Sequence, residues 1–150
     1  MRQAQTLNDA QLRRVIQYCR SRRHPTRDET IILVSFYAGL RAKEIAALTV
    51  GNVFDEAGDV RTQFILSAAQ SKGGHFSANT MCQLFLDIYK AVGLKDASSH
   101  SGRRTYITRL ANKGVGVRLL AELAGHSHIS TTQRYIDVNA EQLSEAVELL

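Results

Sequence analysis

Pro25 is the only proline in this chain of 150 residues, and on both sides of it apolar side chains recur every three or four positions. That spacing is the period of a helix, so the chain is constrained to a mainly helical fold. Leu12, Val15, Ile16 and Cys19 form one stripe opposite Arg13, Arg14, Gln17 and Arg20, and Asn8 with Gln11 has the form of a capping box at its start. Pro25 interrupts the pattern, Thr26 to Glu29 suggests a second capping box, and the run from Ile31 to Ala38 predicts a core helix ended by Gly39. A short helix over Ala42 to Leu48 is expected next. Met81, Leu84, Phe85, Ile88 and Val92 predict a helix opening at Ser77, and Tyr106, Ile107, Leu110 and Ala111 predict the buried face of another from Ser101 to just before Gly114. A helix over Val117 to Ala124, a short one opened by a Ser130 to Gln133 capping box, and a terminal helix from about Asn139 complete the pattern.

Only the stretch Val50 to Gly74 changes character. Asp55-Glu56-Ala57-Gly58-Asp59 reads as a turn and Thr62 to Leu66 is β-prone, so a small hairpin is expected, with Lys72-Gly73-Gly74 as a tight turn carrying one cation at its lip. The expected fold class is therefore mainly α with a small antiparallel β-hairpin or sheet (α+β). With 44% hydrophobic and 22% charged residues, one core and one domain over residues 1–150 are expected. The longest apolar stretch, Ile31 to Ala38, is far below the roughly 20 residues that span a bilayer, so no membrane partner is expected. Cys19 and Cys82 lie 63 positions apart without metal-ligand or disulfide spacing and read as small apolar residues in a reducing, cytoplasmic compartment.

Charge is distributed unevenly. Residues 1–27 hold seven Arg against one Asp, whereas residues 136–150 hold four acids and no Lys or Arg, leaving +9 on residues 1–135. Such clustering suits a polyanionic partner such as nucleic acid, or simply a solvated Arg-rich face.

Three clusters carry possible chemistry. In Tyr37 to Leu48, Arg41 follows a helix-ending Gly and Glu44 stands three residues on; the pair either presents a fork of donors to phosphate or is a structural ion pair. Around His100, an imidazole, the Arg103 guanidinium and helix N-terminal amides either converge on an anion or form an exposed polar cap. In the third, His126 follows Gly125, and Tyr135 lies nine residues further in a short helix. Tyr37, Tyr89 and Tyr106 read as core packing. His126-Ser127-His128 lacks a third ligand at usable spacing, so no metal site is expected, and Ser101 and Ser130 lack a nucleophile-elbow context.

Read jointly, these clusters resemble the catalytic domain of the tyrosine recombinases, the phage integrase family of DNA strand-exchange enzymes. The chain carries a G-L-R-x-x-E box at Gly39 to Glu44, an H-x-x-R box at His100 to Arg103, an A-G-H box at Ala124 to His126, and a tyrosine at Tyr135, with Lys72 at a hairpin turn like that of the family's lysine. The resemblance implies the recombinase catalytic-domain fold and DNA cleavage through a 3′-phosphotyrosyl intermediate, with Tyr135 as nucleophile. It further implies that Arg41, Arg103 and His126 stabilise the pentacovalent phosphorane, that Lys72 protonates the leaving 5′-oxygen, and that His100 assists proton movement. By the same resemblance Glu44 would orient Arg41, and Arg104, Lys43 and His128 are expected to face double-stranded DNA, with Arg104 and His128 simply exposed as the alternative. No cofactor, nucleotide or metal is implied, and self-association on DNA through the C-terminal helix is, with packing of that helix in cis as the alternative.

The sequence departs from the family in three places. Between Lys72 and the helix beginning near Ser77 several tens of residues are expected to be missing, so the domain is shortened before the H-x-x-R box and the lysine lacks its return strand. Gly102 stands where an apolar residue is more usual and Arg104 where His is, with a cost of about 1 kcal/mol for Gly in a helix. The N-terminal core-binding, SAM-like domain of full-length relatives is read as absent. A recombinase-derived DNA-binding or accessory protein that has lost strand transfer is the alternative reading.

Overall fold

The computed structural model describes residues 3–63 and 76–136, together with 144 and 147–149. Its first helix, α1 (Asp9–Arg20), begins as the sequence suggests: Asn8 Oδ1 accepts from Gln11 N at 2.8 Å and Gln11 Oε1 accepts from Asn8 N at 2.9 Å. Leu12, Val15 and Cys19 are buried, while Arg13, Arg14 and Arg20 face outward. Helix α2 (Pro25–Ala38) starts differently from expectation. His24 is its N-cap, without a side-chain cap bond, and Pro25 occupies the first turn, where a missing N–H costs nothing. Thr26 is therefore already helical, and Glu29 is taken by a two-bond pair with Arg20 at 2.8 and 3.0 Å. The buried Asp28 joins the same corner, accepting from Arg22 Nε at 2.7 Å and Arg27 Nε at 2.8 Å.

Gly39 ends α2 in the left-handed conformation at φ 65°, and a Cβ there would meet Cδ1 of the Tyr106 ring at 2.5 Å. After α3 (Ala42–Ala46) comes α4 (Val50–Val53), so the stretch of changed character opens with a helical turn. Thr49 N donates to Asn52 Oδ1 at 2.9 Å and closes these residues into a helical turn. The predicted Asp55 to Asp59 turn does form, with Asp55 N donating to Asp59 O at 2.9 Å, but Phe54 and Val60 make one isolated antiparallel bridge and no strand extends it among the described residues. Residues 64–75, which include Leu66, Lys72 and the site of the expected shortening, lie outside the described residues.

Helix α5 (Ala78–Ala91) is capped by Ser77, whose Oγ accepts from Thr80 N at 3.1 Å. Its Met81, Leu84, Phe85, Ile88 and Tyr89 form a core with Leu12, Val15 and Cys19 of α1 and Ile31, Ile32 and Phe36 of α2. Burial pushes the Cys19 thiol up to about 11, more than the nearby Asp28 does, consistent with an inert core cysteine. Helix α6 (Ser101–Asn112) lies along α2, burying Ile107 and Ala111, with Tyr106 and Leu110 half-buried. Then come α7 (Val117–Leu123) and α8 (Ile129–Gln133), packed on each other. The predicted Ser130 to Gln133 box does not form, because the helix is already under way at Ile129 with His128 as N-cap. Tyr37 is also corrected: it is 64% exposed, edge-on to Phe36, because Ile32, Ser35 and Phe36 define the buried face of α2 and Tyr37 falls beyond it. Of the predicted terminal stripe Ala140, Leu143, Val147 and Leu150, only Val147 is described, and it is largely exposed.

Candidate active site

Arg103 is the structural centre of the site. It stands in the first turn of α6 and is only 4% exposed. Its guanidinium reaches two helix ends: Nη1 donates to Gly39 O, at the C-cap of α2, at 2.8 Å, and Nη2 donates to Ala124 O, at the C-cap of α7. Carbonyls at helix C-termini lack intrahelical donors and carry partial negative charge, so they suit a buried cation. Burial, the largest influence, and the adjacent Arg41 charge pull Arg103 below its ordinary value, while Glu44 and the nearby Tyr135 oppose them.

Arg41 enters from the N-cap of α3. Glu44 holds it doubly, accepting from Arg41 N and Arg41 Nη1, both at 2.6 Å, and Arg41 Nη2 reaches Gly125 O at 3.3 Å. The same carboxylate lies 3.9 Å from Arg103 Nη1. Burial alone would raise the Glu44 carboxyl, but the Arg41 hydrogen bonds and the charges of Arg41 and Arg103 together hold it below the usual carboxylate range. Glu44 therefore stays ionised, fixing the Arg41 guanidinium and balancing the charge of Arg103.

His126 follows Gly125, whose φ of 58° turns the chain out of α7. Its Nδ1 lies 2.8 Å from Thr132 Oγ1, and its ring stacks on Tyr135 with centroids 5.8 Å apart and planes 18° from parallel. Burial first, then Arg103 and Arg41, push the imidazole below its ordinary value. Tyr135 is half-buried just after α8, and Arg104 lies over its ring at 5.7 Å. Thus Arg41, Glu44, Arg103, His126 and Tyr135, predicted from separate stretches, are brought together.

The other predicted residues are placed less tightly. His100 is exposed and shares a cleft of about 500 Å³ with Ser98, Arg104, Thr131, Arg134 and Tyr135. Lys43 and His128 are exposed on α3 and before α8. Lys72 lies outside the described residues. Of the basic face expected on α1, Arg13 and Arg14 are exposed and Arg20 pairs with Glu29, while Arg22 and Arg27 beyond it pair with Asp28. Among the described residues no group of three or more His, Cys, Asp or Glu side chains is arranged to hold a metal ion.

Two features of the site were not read from sequence. Thr132 is fully buried yet bonded to His126; a Thr three residues before the tyrosine is the only signal it offers. Gly102 marks a close crossing of α6 over α2. A Cβ there would collide with Ser35 Oγ and come within 2.8 Å of the Ser35 carbonyl carbon. Phosphoryl chemistry suits this arrangement, since two fixed guanidiniums and an imidazole surround a phenol that could act as nucleophile.

Known proteins resemble this chain in sequence and in fold. The sequence profile of the phage integrase family matches residues 64–142. The tyrosine recombinase XerA of Pyrococcus horikoshii is 26% identical over 155 residues, covering 81% of this chain and 54% of its own. The chain thus spans about half the length of such relatives. Among solved structures, the Tn1549 transposon integrase in complex with circular-intermediate DNA matches 100% of this chain and 67% of its own, with a TM-score of 0.73 at 17% identity. The catalytic domain of bacteriophage HP1 integrase matches 97% of this chain and 95% of its own, with a TM-score of 0.64 at 19% identity. At such identities the structural likeness speaks for the fold.

Proposed function

The chain belongs to the phage integrase family, and from that premise we propose that residues 1–150 act as the catalytic domain of a tyrosine-type site-specific recombinase that cuts and rejoins double-stranded DNA. The observation that carries this reading is the grouping of Arg41, Arg103 and His126 beside Tyr135: Arg103 is buried and held by two helix-end carbonyls, Arg41 reaches the carbonyl that precedes His126, and the His126 ring stacks on the phenol.

In the proposed reaction Tyr135 Oη attacks the scissile phosphorus. The Oη–P bond forms as the bond from phosphorus to the 5′-oxygen breaks, leaving a 3′-phosphotyrosyl link and a free 5′-hydroxyl. His100, in the cleft beside Tyr135, helps carry away the phenolic proton, and the leaving oxygen takes its proton from Lys72, a role that rests on the motif alone. Arg41, Arg103 and His126 aim donors at the charge that grows on the non-bridging oxygens, with Glu44 fixing Arg41 and balancing the charge of Arg103. Attack of a second strand's 5′-hydroxyl reverses the step, and because the phosphotyrosyl link keeps the energy of the broken bond, the reaction calls for no nucleotide, cofactor or metal. Arg104, Lys43 and His128 are assigned to DNA contact, the C-terminal helix to self-association on DNA, and the protein to the cytoplasm. No helix among the described residues is long and apolar enough to cross a membrane.

A suicide DNA substrate with a nicked or bridging-thiolate scissile site tests the proposal. The parent should accumulate a covalent protein–DNA adduct that Tyr135→Phe does not form. DNA binding without adduct, even at high protein concentration, would assign the chain to an accessory role instead.

A further inference from the structure

Thr132 is fully buried in α8, and a buried hydroxyl stays only where it has a partner. Its partner is His126 Nδ1, at 2.8 Å, six residues earlier in the chain. The carbonyl of the same residue accepts from Tyr135 N at 2.9 Å, in the turn that delivers the phenol. One residue is therefore bonded to the imidazole by its side chain and to the tyrosine by its backbone, and the two rings so tied lie nearly parallel, 5.8 Å apart. With Nδ1 engaged and the His126 backbone N–H donating to Ala121 O at 2.9 Å, the ring nitrogen left to meet a substrate is Nε2.

We propose that Thr132 is a positioning residue for strand cleavage: its hydroxyl sets the orientation of His126, and through the shared turn it holds the imidazole and the Tyr135 phenol as one unit. The inference rests on the reading of Tyr135 as nucleophile and His126 as phosphate ligand. In-line attack tolerates little misplacement, so loss of the tie slows chemistry more than it weakens DNA binding. Valine has nearly the shape of threonine without the hydroxyl, and serine keeps the hydroxyl without the methyl, so the pair separates hydrogen bonding from packing.

The experiment measures adduct formation on the suicide substrate at saturating DNA, with DNA affinity taken in parallel by fluorescence anisotropy. Thr132→Val should slow adduct formation roughly ten- to hundredfold, the scale of one lost buried hydrogen bond, with affinity within about twofold. Thr132→Ser should restore most of the rate. A parental rate in Thr132→Val, or equal slowing in both variants, overturns the proposal. If the parent itself forms no adduct, the Tyr135 reading has failed and the tie is judged separately by long-range ¹H–¹⁵N NMR of the imidazoles. The His126 Nδ1 resonance should then move in Thr132→Val and hold in Thr132→Ser; an unmoved resonance in Thr132→Val overturns the proposal on its own.

Discussion

Replacing Gly102 with alanine sets two opposed effects against each other at the step where α6 crosses α2. Alanine is about 1 kcal/mol better than glycine inside a helix, so on propensity alone Gly102→Ala stabilises the protein. The new methyl, however, meets three atoms of Ser35. The Ser35 hydroxyl can rotate away, but its Cβ at 2.9 Å and its carbonyl carbon at 2.8 Å belong to the α2 framework and cannot. Overpacking of this kind costs about 1–3 kcal/mol, so after the propensity gain the net expectation is a destabilisation of up to about 2 kcal/mol. Because Arg103 is the next residue and ties α6 to the ends of α2 and α7, the shift that relieves the clash also moves that guanidinium. Urea denaturation of the parent, Gly102→Ala, Ser35→Gly and the double variant supplies the measurement. Ser35→Gly removes the Oγ and Cβ obstacles but leaves the carbonyl carbon, so the double variant should recover part of the loss, with a coupling of about 0.5 kcal/mol or more. A Gly102→Ala protein at least as stable as the parent, or strictly additive effects in the cycle, would refute the claim that this crossing requires a missing side chain.

Two further perturbations address the charges. The Glu44 carboxyl titrates below its ordinary value of 4.5 in the folded chain, so the unfolded chain binds more protons as pH falls through that range. Its stabilisation is complete above the ordinary value and is lost as pH drops through the folded one. Glu44→Gln should therefore lower stability at neutral pH and flatten the acid limb below about pH 5, read by thermal melts across pH; parallel limbs in parent and variant would sink the assignment. His126, likewise depressed, adds a loss of the same sign beginning near its ordinary 6.5, which is why the comparison is made at lower pH. Arg103→Ala should reduce adduct formation about 10²- to 10³-fold while changing DNA affinity far less, since its proposed task is stabilising developing charge. Equal losses in both assays would make Arg103 a phosphate anchor.

What the sequence displayed was whatever depends on neighbours in the chain. The Asn8–Gln11 box, the stripe of α1 and the Arg41–Glu44 pair are all local, and each is found in place. Thr26 to Glu29 matched a local pattern too, but Pro25 began the helix first and Arg20, nine residues back, claimed Glu29. Arg103 could be picked out by its box, yet its partners are the carbonyls of Gly39 and Ala124, and a carbonyl leaves no mark on residue identity. Gly102 looked like a small helical penalty because the reason for it, Ser35, stands 67 positions away on another helix. Thr132 was hidden for a related cause: buried and bonded across a turn, it resembles any helical threonine until His126 is seen beside it.

The basic charge changes meaning by the same logic. The Arg-rich beginning of the chain first suggests that α1 attracts a polyanion. Arg13 and Arg14 do stay exposed, yet Arg20 is matched by Glu29, and beyond α1 Arg22 and Arg27 share the buried Asp28 while Arg109 meets Asp9 at 2.6 Å. At the site the balance is the reverse, since two guanidiniums, Arg41 and Arg103, face the single carboxylate of Glu44. One of those cations is almost fully buried, where water screens it least. The excess is felt by its neighbours, for both arginines help depress His126. An anion entering beside Tyr135 would relieve that repulsion as well as gain hydrogen bonds. The field that would draw a phosphate is therefore concentrated where charge is proposed to develop in the reaction, and the exposed face of α1 contributes less to it than its composition suggests.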